Sequence, residues 1–304
     1  MTLAQLSYLV ALDTHRHFRK AAAACRVAQP SLSAQIRKLE DELGVVLFDR
    51  DRKPLVPTSI GEQVIDRARL VLAEVEAMRD LVQRATGEMA GTLRVGVVPS
   101  VAPYLLPLVI PGFSGQYPRI TLVFETGPED QVLALLQRGE LDAGLVAAAP
   151  AARGLTDQVL FVEPLVGYVS AGHRLAARPA LTVGDVVLDD LWLSGEGDGL
   201  REQVVHLGRA DDGGIPAYRP IEVRGEHLET LKRLVEQGEG MTLLPWLAVH
   251  GGAPVQQALV KPFAAPVPTR IVRMVYTRTF PKKHLADVLA AEITAAVRSV
   301  LPAA

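Results

Sequence analysis

Apolar residues in the first third of the chain recur at helical intervals, and from residue 93 onward they gather into short runs separated by turns. Leu3, Leu6, Leu9, Val10 and Leu12 mark one side of a first helix, opened by Thr2-Leu3-Ala4-Gln5 as a T-x-x-Q capping box. Phe18 to Gly44, FRKAAAACRVAQPSLSAQIRKLEDELG, reads as a short Ala-rich helix, a break at Arg26-Val27-Ala28 and a longer amphipathic helix. Pro30 falls in the first turn of that helix, where its fixed φ assists initiation. Leu32, Ile36, Leu39 and Leu43 recur at i, i+4, i+7 and i+11 and share the inward face. The opposite face carries Pro30, Ala34, Arg37 and Lys38, flanked by Ser33 and Gln35. Leu47 to Thr58, LFDRDRKPLVPT, sets Arg50, Arg52 and Lys53 between short apolar pieces, a pattern that fits a two-stranded wing.

Ser59-Ile60-Gly61-Glu62 predicts the cap of a long helix reaching about Ala85. Along it Val64, Ala68, Val71, Val75, Met78 and Val82 keep an a/d spacing, so they are the expected dimer seam; a helix buried against its own domain is the alternative. Ile65, Leu72 and Leu81 would rest on the winged domain. After a break at 86–92 the pattern becomes α/β, with strands expected at Leu93-Val98, Ile120-Glu125 and Ala143-Ala149 and helices between them. This alternation predicts βαβ units and a mostly parallel sheet. Gln158-Ser170 reads as a long strand crossing to a second lobe. That lobe would hold Val183-Val187, Asp190-Ser194, Arg201-Leu207, Arg219-Val223, Leu228-Gln237 and Met241-Leu244. Ile271-Tyr276 and a Lys282-Leu301 helix would return to the first lobe. The expected organisation is a DNA-binding domain at 1–58, a dimerising helix at 59–86, a linker at 87–92 and an effector domain at 93–304. Its lobes would be 93–165 with 267–304, and 166–266.

Charge sharpens the N-terminal reading. Nine cations against five acids between Arg16 and Lys53 make this segment basic within a chain of net charge −2, as a nucleic-acid-binding module requires. A third helix in front and a wing behind make it a winged helix-turn-helix. Gln29, Pro30, Ser31, Ser33, Ala34 and Arg37 would approach base edges or nearby backbone, and Arg50, Arg52 and Lys53 the phosphates. One cysteine, Cys25, excludes an intramolecular disulfide and fits a reducing compartment. With no apolar run long enough to span a bilayer and no signal h-region, the expected location is the cytoplasm, with no membrane partner.

The residues Phe18, Ala21-Ala22, Gln29-Pro30-Ser31, Ser33, Ile36, Leu39-Glu40, Leu43-Gly44, Leu47-Phe48, Arg50 and Thr58-x-x-Gly61 resemble the signature of the LysR-type transcriptional regulators. YLVALDTHRHFRKAA, PYLLPLVIP, LETLKRLVEQGEGMTLLP and LREQ are similar to that family's OxyR-like, peroxide-sensing branch. The resemblance implies a winged helix-turn-helix, a coiled linker helix and a two-lobed, periplasmic-binding-protein-like effector domain. It also implies dimers or tetramers on interrupted palindromes of double-stranded DNA, control by a small-molecule effector, and contact with RNA polymerase. By the same resemblance the cleft residues are Ser100, Val101, Thr126, Gly197, Asp198, Gly199, Thr242 and Pro245. Ser100 is alternatively a plain helix cap, and Gly195 to Gly199 a flexible turn. Where the branch has its two redox cysteines, this chain has Gly199 and Gly208.

A DNA-binding regulator with a changed trigger is therefore expected. The alternatives are an oxidative-stress regulator working through Cys25 and a solute-binding protein. No enzyme motif is present: the seven histidines lack metal-ligand spacing, no Walker loop or G-x-S-x-G elbow occurs, and no cofactor or metal is expected.

Overall fold

The structure, a computed structural model, describes residues 1–302 except 51, 53, 86–88, 149–153, 194–198, 209–227, 239, 279 and 281. Two compact units divide the chain, Met1–Glu88 and Met89–Ala304.

The first unit runs α1 (Leu3–His15), α2 (Phe18–Ala24), α3 (Gln29–Leu43), β1 (Phe48–Asp49), β2 (Val56–Pro57) and α4 (Ser59–Ala85). The expected capping box opens α1: the Thr2 hydroxyl oxygen accepts the Gln5 N–H at 3.2 Å, and Gln5 Oε1 accepts the Thr2 N–H at 2.9 Å. His17 caps α2, its Nδ1 accepting the Arg19 N–H at 3.1 Å. Leu6, Leu9, Leu12, Ala21, Ala22, Leu32, Ile36 and Leu39 form one core with Leu47 and Phe48 of the wing. Leu43 departs from its expected place on the inward face and is 39 % exposed, because Gly44 ends the helix in the left-handed region (φ 68°) beside it.

Two features of α4 differ from expectation. Its cap is Thr58, one residue earlier than predicted: the hydroxyl accepts the Gly61 N–H at 3.0 Å and donates to the Val46 carbonyl at 2.8 Å. A Cβ on Gly61 would lie 2.0 Å from the Leu47 carbonyl oxygen, so α4 can leave the wing only with glycine there. Ala68, expected in the seam, is in the unit's own core, beside Ile65, which rests there as expected.

The second unit runs β3 (Gly91–Val97), α5 (Ala102–Gln116), β4 (Ile120–Thr126), α6 (Glu129–Gln137), β5 (Ala143–Val146) and β6 (Leu155–Val169). It continues with α7 (Gly199–Leu207), α8 (Leu228–Glu236), β7 (Met241–Pro245), α9 (Trp246–Val249), α10 (Pro254–Leu259), β8 (Val260–Lys261), β9 (Thr269–Thr277) and α11 (Lys283–Arg298). Strand order is β4-β3-β5-β9-β6-β7. Among the strands of the described residues, β3 pairs parallel with β4 and β5, whereas β9, β6 and β7 pair antiparallel, so the mostly parallel sheet is replaced by a mixed one.

The long strand behaves as predicted. From Leu155 to Pro164 β6 pairs with β9, and from Leu165 to Val169 with β7. This change of partner splits the apolar core into two clusters and hence two lobes. One gathers β3, β5, α5, α6 and α11; the other gathers the end of β6, β7, α7 and α8. Val183-Val187 contains a 3-10 turn at Val183–Asp185, a second turn at Leu188–Asp190 ends where Asp190-Ser194 begins, and Ser194 and Arg219-Val223 lie outside the described residues. No helix among the described residues is long and apolar enough to cross a membrane.

Candidate functional site

The first candidate surface is the outer face of α3. Leu32, Ile36 and Leu39 are fully buried, which leaves Gln29, Pro30, Ser31, Ala34, Arg37 and Lys38 exposed and Ser33 half-buried. Ala28 stands at the N-cap and offers no side-chain cap, and no acid occurs in the first turn. Backbone N–H groups and the positive end of the helix dipole therefore remain for an anion.

The wing cations divide. Arg52 is 71 % exposed and only loosely paired with Asp49, at 3.3 Å. Arg50, expected at a phosphate, instead pairs through Nη2 with Glu40 Oε2 and stands 5.9 Å from the Phe18 ring centroid. Glu40 Oε1 accepts the Leu47 N–H at 2.9 Å. The pair fastens the wing to α3, so Arg50 shapes the surface rather than projecting from it. Lys53 lies outside the described residues.

Along α4 the expected seam divides as well. Val71 and Met78 are 43 % and 67 % exposed, and Val64 and Val75 are half-buried. Ala68 is 2 % exposed within its own core, which removes it from a seam between copies. The side chain of Val82 is not among those described. Leu6, Leu43, Gln63, Val64, Arg67 and Val71 line a concavity of about 310 Å³ on this unit.

In the second unit Ser100 follows β3, where Val97 is in register with Thr126 at the end of β4. Ligands of open α/β sheets bind outside such carboxyl ends. Thr126 is exposed, but Ser100 is fully buried and already engaged by a side chain the sequence reading did not single out. Arg270 Nη1 donates to Ser100 Oγ at 3.2 Å, Nη2 to the Ser100 carbonyl at 3.1 Å, and Nε to Glu163 Oε1 at 2.7 Å. Glu163 Oε2 accepts the Leu247 N–H at 2.9 Å. Arg270 and Glu163 are 1 % and 0 % exposed and are cross-strand partners on β9 and β6. Ser100, expected to line the cleft, is thus part of a satisfied ion-pair network. Val101 is buried in the apolar core, and Pro245 is buried at the end of β7. Thr242 is buried too, its hydroxyl donating to the Trp192 carbonyl at 2.8 Å, so none of these three presents a free side chain to a ligand.

Gly199 begins α7. A Cβ there would meet Glu129 Oε2 at 3.3 Å and Ala148 Cβ at 3.5 Å, so the position abuts the other lobe. Gly199 also lines a cavity of about 430 Å³ with Ala148, Glu202, Gln203, His206 and Thr269. Gly197 and Asp198 lie outside the described residues. Gly208 is packed tightly: a Cβ would come within 2.4 Å of Leu188 Cδ2. Cys25, half-buried after α2, is a free thiol whose pKa is pushed up by burial, which lowers its thiolate fraction.

Comparison with known proteins places this arrangement. Residues 3–62 match the bacterial regulatory helix-turn-helix protein, lysR family, and residues 86–298 match the LysR substrate binding domain. The DNA-binding transcriptional dual regulator OxyR of Escherichia coli is 36 % identical over 295 residues, covering 97 % of this chain and 95 % of that protein. A probable hydrogen peroxide-inducible genes activator of Streptomyces viridosporus is 34 % identical over 301 residues, covering 98 % and 95 %. Among solved structures, a full-length OxyR variant from Pseudomonas aeruginosa superposes with a TM-score of 0.81 at 34 % identity, covering 97 % of this chain and 98 % of that one. A hydrogen-peroxide-bound OxyR mutant from Corynebacterium glutamicum gives 0.63 at 28 % identity, covering 98 % and 93 %.

Proposed function

We propose that this chain, which belongs to the LysR family of DNA-binding transcriptional regulators, reads an interrupted palindrome as a dimer or tetramer under control of a small molecule held between its lobes. In this reading α3 enters the major groove, the wing follows the backbone, and the outward stripe Val64, Val71, Val75 and Met78 meets the same stripe of a second copy. The protein acts in the cytoplasm and passes its signal to RNA polymerase. The observation that carries the DNA reading is the uncapped, acid-free N-terminus of α3 beside a small, polar, basic face. Selection from a random duplex library, followed by footprinting, tests it. Two protected half-sites about one helical turn apart, lost on Arg37→Ala and Ser33→Ala, are expected; binding without sequence preference would refute it.

The proposed effector site is the cleft beside Thr126, Gly199 and the Ser100–Arg270 network. Because Arg270 is already neutralised by Glu163, and Glu129 and Glu202 border the cavity, the cleft suits a neutral or donor-rich molecule better than a simple anion. The relatives named as hydrogen peroxide-inducible activators favour a second reading, a peroxide response. Gly199 and Gly208 offer it no sulfur, which leaves Cys25 as its only thiol.

A further inference from the structure

A second polar cluster joins the two lobes beside the Ser100–Arg270 network. Tyr104 lies in the first turn of α5, four residues beyond Ser100, and its ring packs against both apolar cores. Its hydroxyl donates to Glu229 Oε1 of α8 at 2.9 Å. Lys232, one turn further along α8, donates to the same oxygen at 2.8 Å and to the Ala248 carbonyl of α9 at 2.8 Å. Its ammonium stands 5.7 Å from the Tyr104 ring centroid, and its side chain is only 12 % exposed.

A lysine and glutamate three residues apart on one helix ordinarily interact weakly. Here the carboxylate oxygen is shared with a hydroxyl from the opposite lobe, and the ammonium is held by a carbonyl and a ring as well. Burial and the neighbouring Glu229 push the Tyr104 hydroxyl far above its ordinary range, so it remains a donor. The cluster also closes on itself. Ala248 follows Leu247, whose N–H binds Glu163; Glu163 holds Arg270; and Arg270 holds Ser100, from which the chain leads back to Tyr104.

We propose that Tyr104, Glu229 and Lys232 form an interlobe clasp that fixes the separation of the two lobes, and that the ring it closes carries any displacement at Ser100 to α8. The clasp itself stands on these contacts alone; its regulatory use rests on the cleft reading given above. A ligand that moved the Ser100 backbone would move the first turn of α5, and with it the donor on Glu229.

The test is a distance measurement on the full chain without any added effector. Spin labels at Ala291→Cys on α11 and Val255→Cys on α10, both exposed, in a Cys25→Ala background, report lobe separation by pulsed electron resonance. The doubly labelled chain is mixed with a large excess of unlabelled Cys25→Ala chain, so that distances within one copy dominate in any dimer or tetramer. The parent should then give one narrow distribution. Tyr104→Phe and Lys232→Met should each add a second, longer-distance population of about 10 % or more, above the usual occupancy of a minor state. The double variant should go little further than either single one, and Tyr117→Phe should leave the distribution unchanged. Circular dichroism confirms that each variant is folded. A single narrow distribution retained in both Tyr104→Phe and Lys232→Met, or a parent already broad, would overturn the clasp. Since no effector is present, either result is separate from whether a cleft ligand exists.

Discussion

Arg50 and Arg52 stand two residues apart at the wing, yet physics assigns them different work. Arg50 neutralises Glu40, whose side chain is 10 % exposed, whereas Arg52 projects into solvent. Arg50→Ala should therefore lower the unfolding free energy by about 1–3 kcal/mol, by stranding a buried carboxylate oxygen. Arg52→Ala should change stability by less than about 0.5 kcal/mol and reduce the slope of log K against log salt by about one. Denaturant melts and salt titrations of operator binding check both; equal melts would dissolve the distinction. The Glu40–Arg50 pair, ten residues apart across a turn, has no local sequence pattern, so charge alone assigns Arg50 to the phosphate contacts. Glu163 and Arg270 are 107 positions apart and meet only because β6 pairs with β9. Each strand carries two charges, Asp157 and Glu163 on β6 and Arg270 and Arg273 on β9, and the sequence alone does not say which of them the pairing buries. His173 supplies a pH test. Burial lowers its pKa despite Asp190 nearby, and its Nδ1 accepts the Leu175 N–H at 3.2 Å. A histidine kept neutral when folded takes up protons more readily when unfolded, so its stabilisation is present above the ordinary histidine value and lost as pH falls below it. Thermal melts should decline from about pH 6.5 downward, and His173→Gln should flatten that part of the profile.

Helices of three turns or more were legible because their apolar period repeats often enough to be seen. α9 and α10, of four and six residues, contain too little of a turn for any period and were missed. In α4 the period was visible but its two recipients were not: one heptad pattern serves both the unit's own core and an outward stripe. Ala68 belongs to the first and Val71 to the second, as their 2 % and 43 % exposures show. This division makes the interface testable. Val71→Glu with Val75→Glu should raise the dimer dissociation constant at least about a hundredfold, or about 2.8 kcal/mol, since charge would enter an apolar contact between copies. Far-UV melts of the resulting monomer should stay near those of the parent. Ala68→Glu should instead unfold the first unit, because its carboxylate would be buried within one copy. Sedimentation and melting together separate the outcomes; parent-like sedimentation of the double variant would move the interface elsewhere.

Across the molecule, the alternation between residues 91 and 146 correctly indicated three parallel strands, β4, β3 and β5. The mixed order beyond β5 was not legible, because β9 inserts from more than 100 residues away and reverses the pairing. The change of partner along β6 then leaves two cores joined by few strands, a construction in which a small differential interaction can shift lobe separation. Whether peroxide supplies that interaction depends on what Gly199 and Gly208 exclude. A cysteine at Gly199 would need a shift of only a few tenths of an ångström against Glu129, but beside a carboxylate, which disfavours thiolate. At Gly208 the Cβ would strike Leu188 at 2.4 Å, an overpacking that costs about 1–3 kcal/mol. The local packing is therefore adapted to glycine at Gly208, whereas Gly199 has room for a side chain but a neighbour that disfavours thiolate. Gly199→Cys should fold near parent stability and react with peroxide no faster than an ordinary free thiol. Gly199→Cys with Gly208→Cys should melt lower and form little of the disulfide. In the parent, peroxide should leave the operator footprint unchanged, since the Cys25 thiol is held toward its protonated form by burial. A reversible footprint change on peroxide treatment, abolished by Cys25→Ser, would instead make the DNA-binding unit itself the sensor and leave the cleft to another signal.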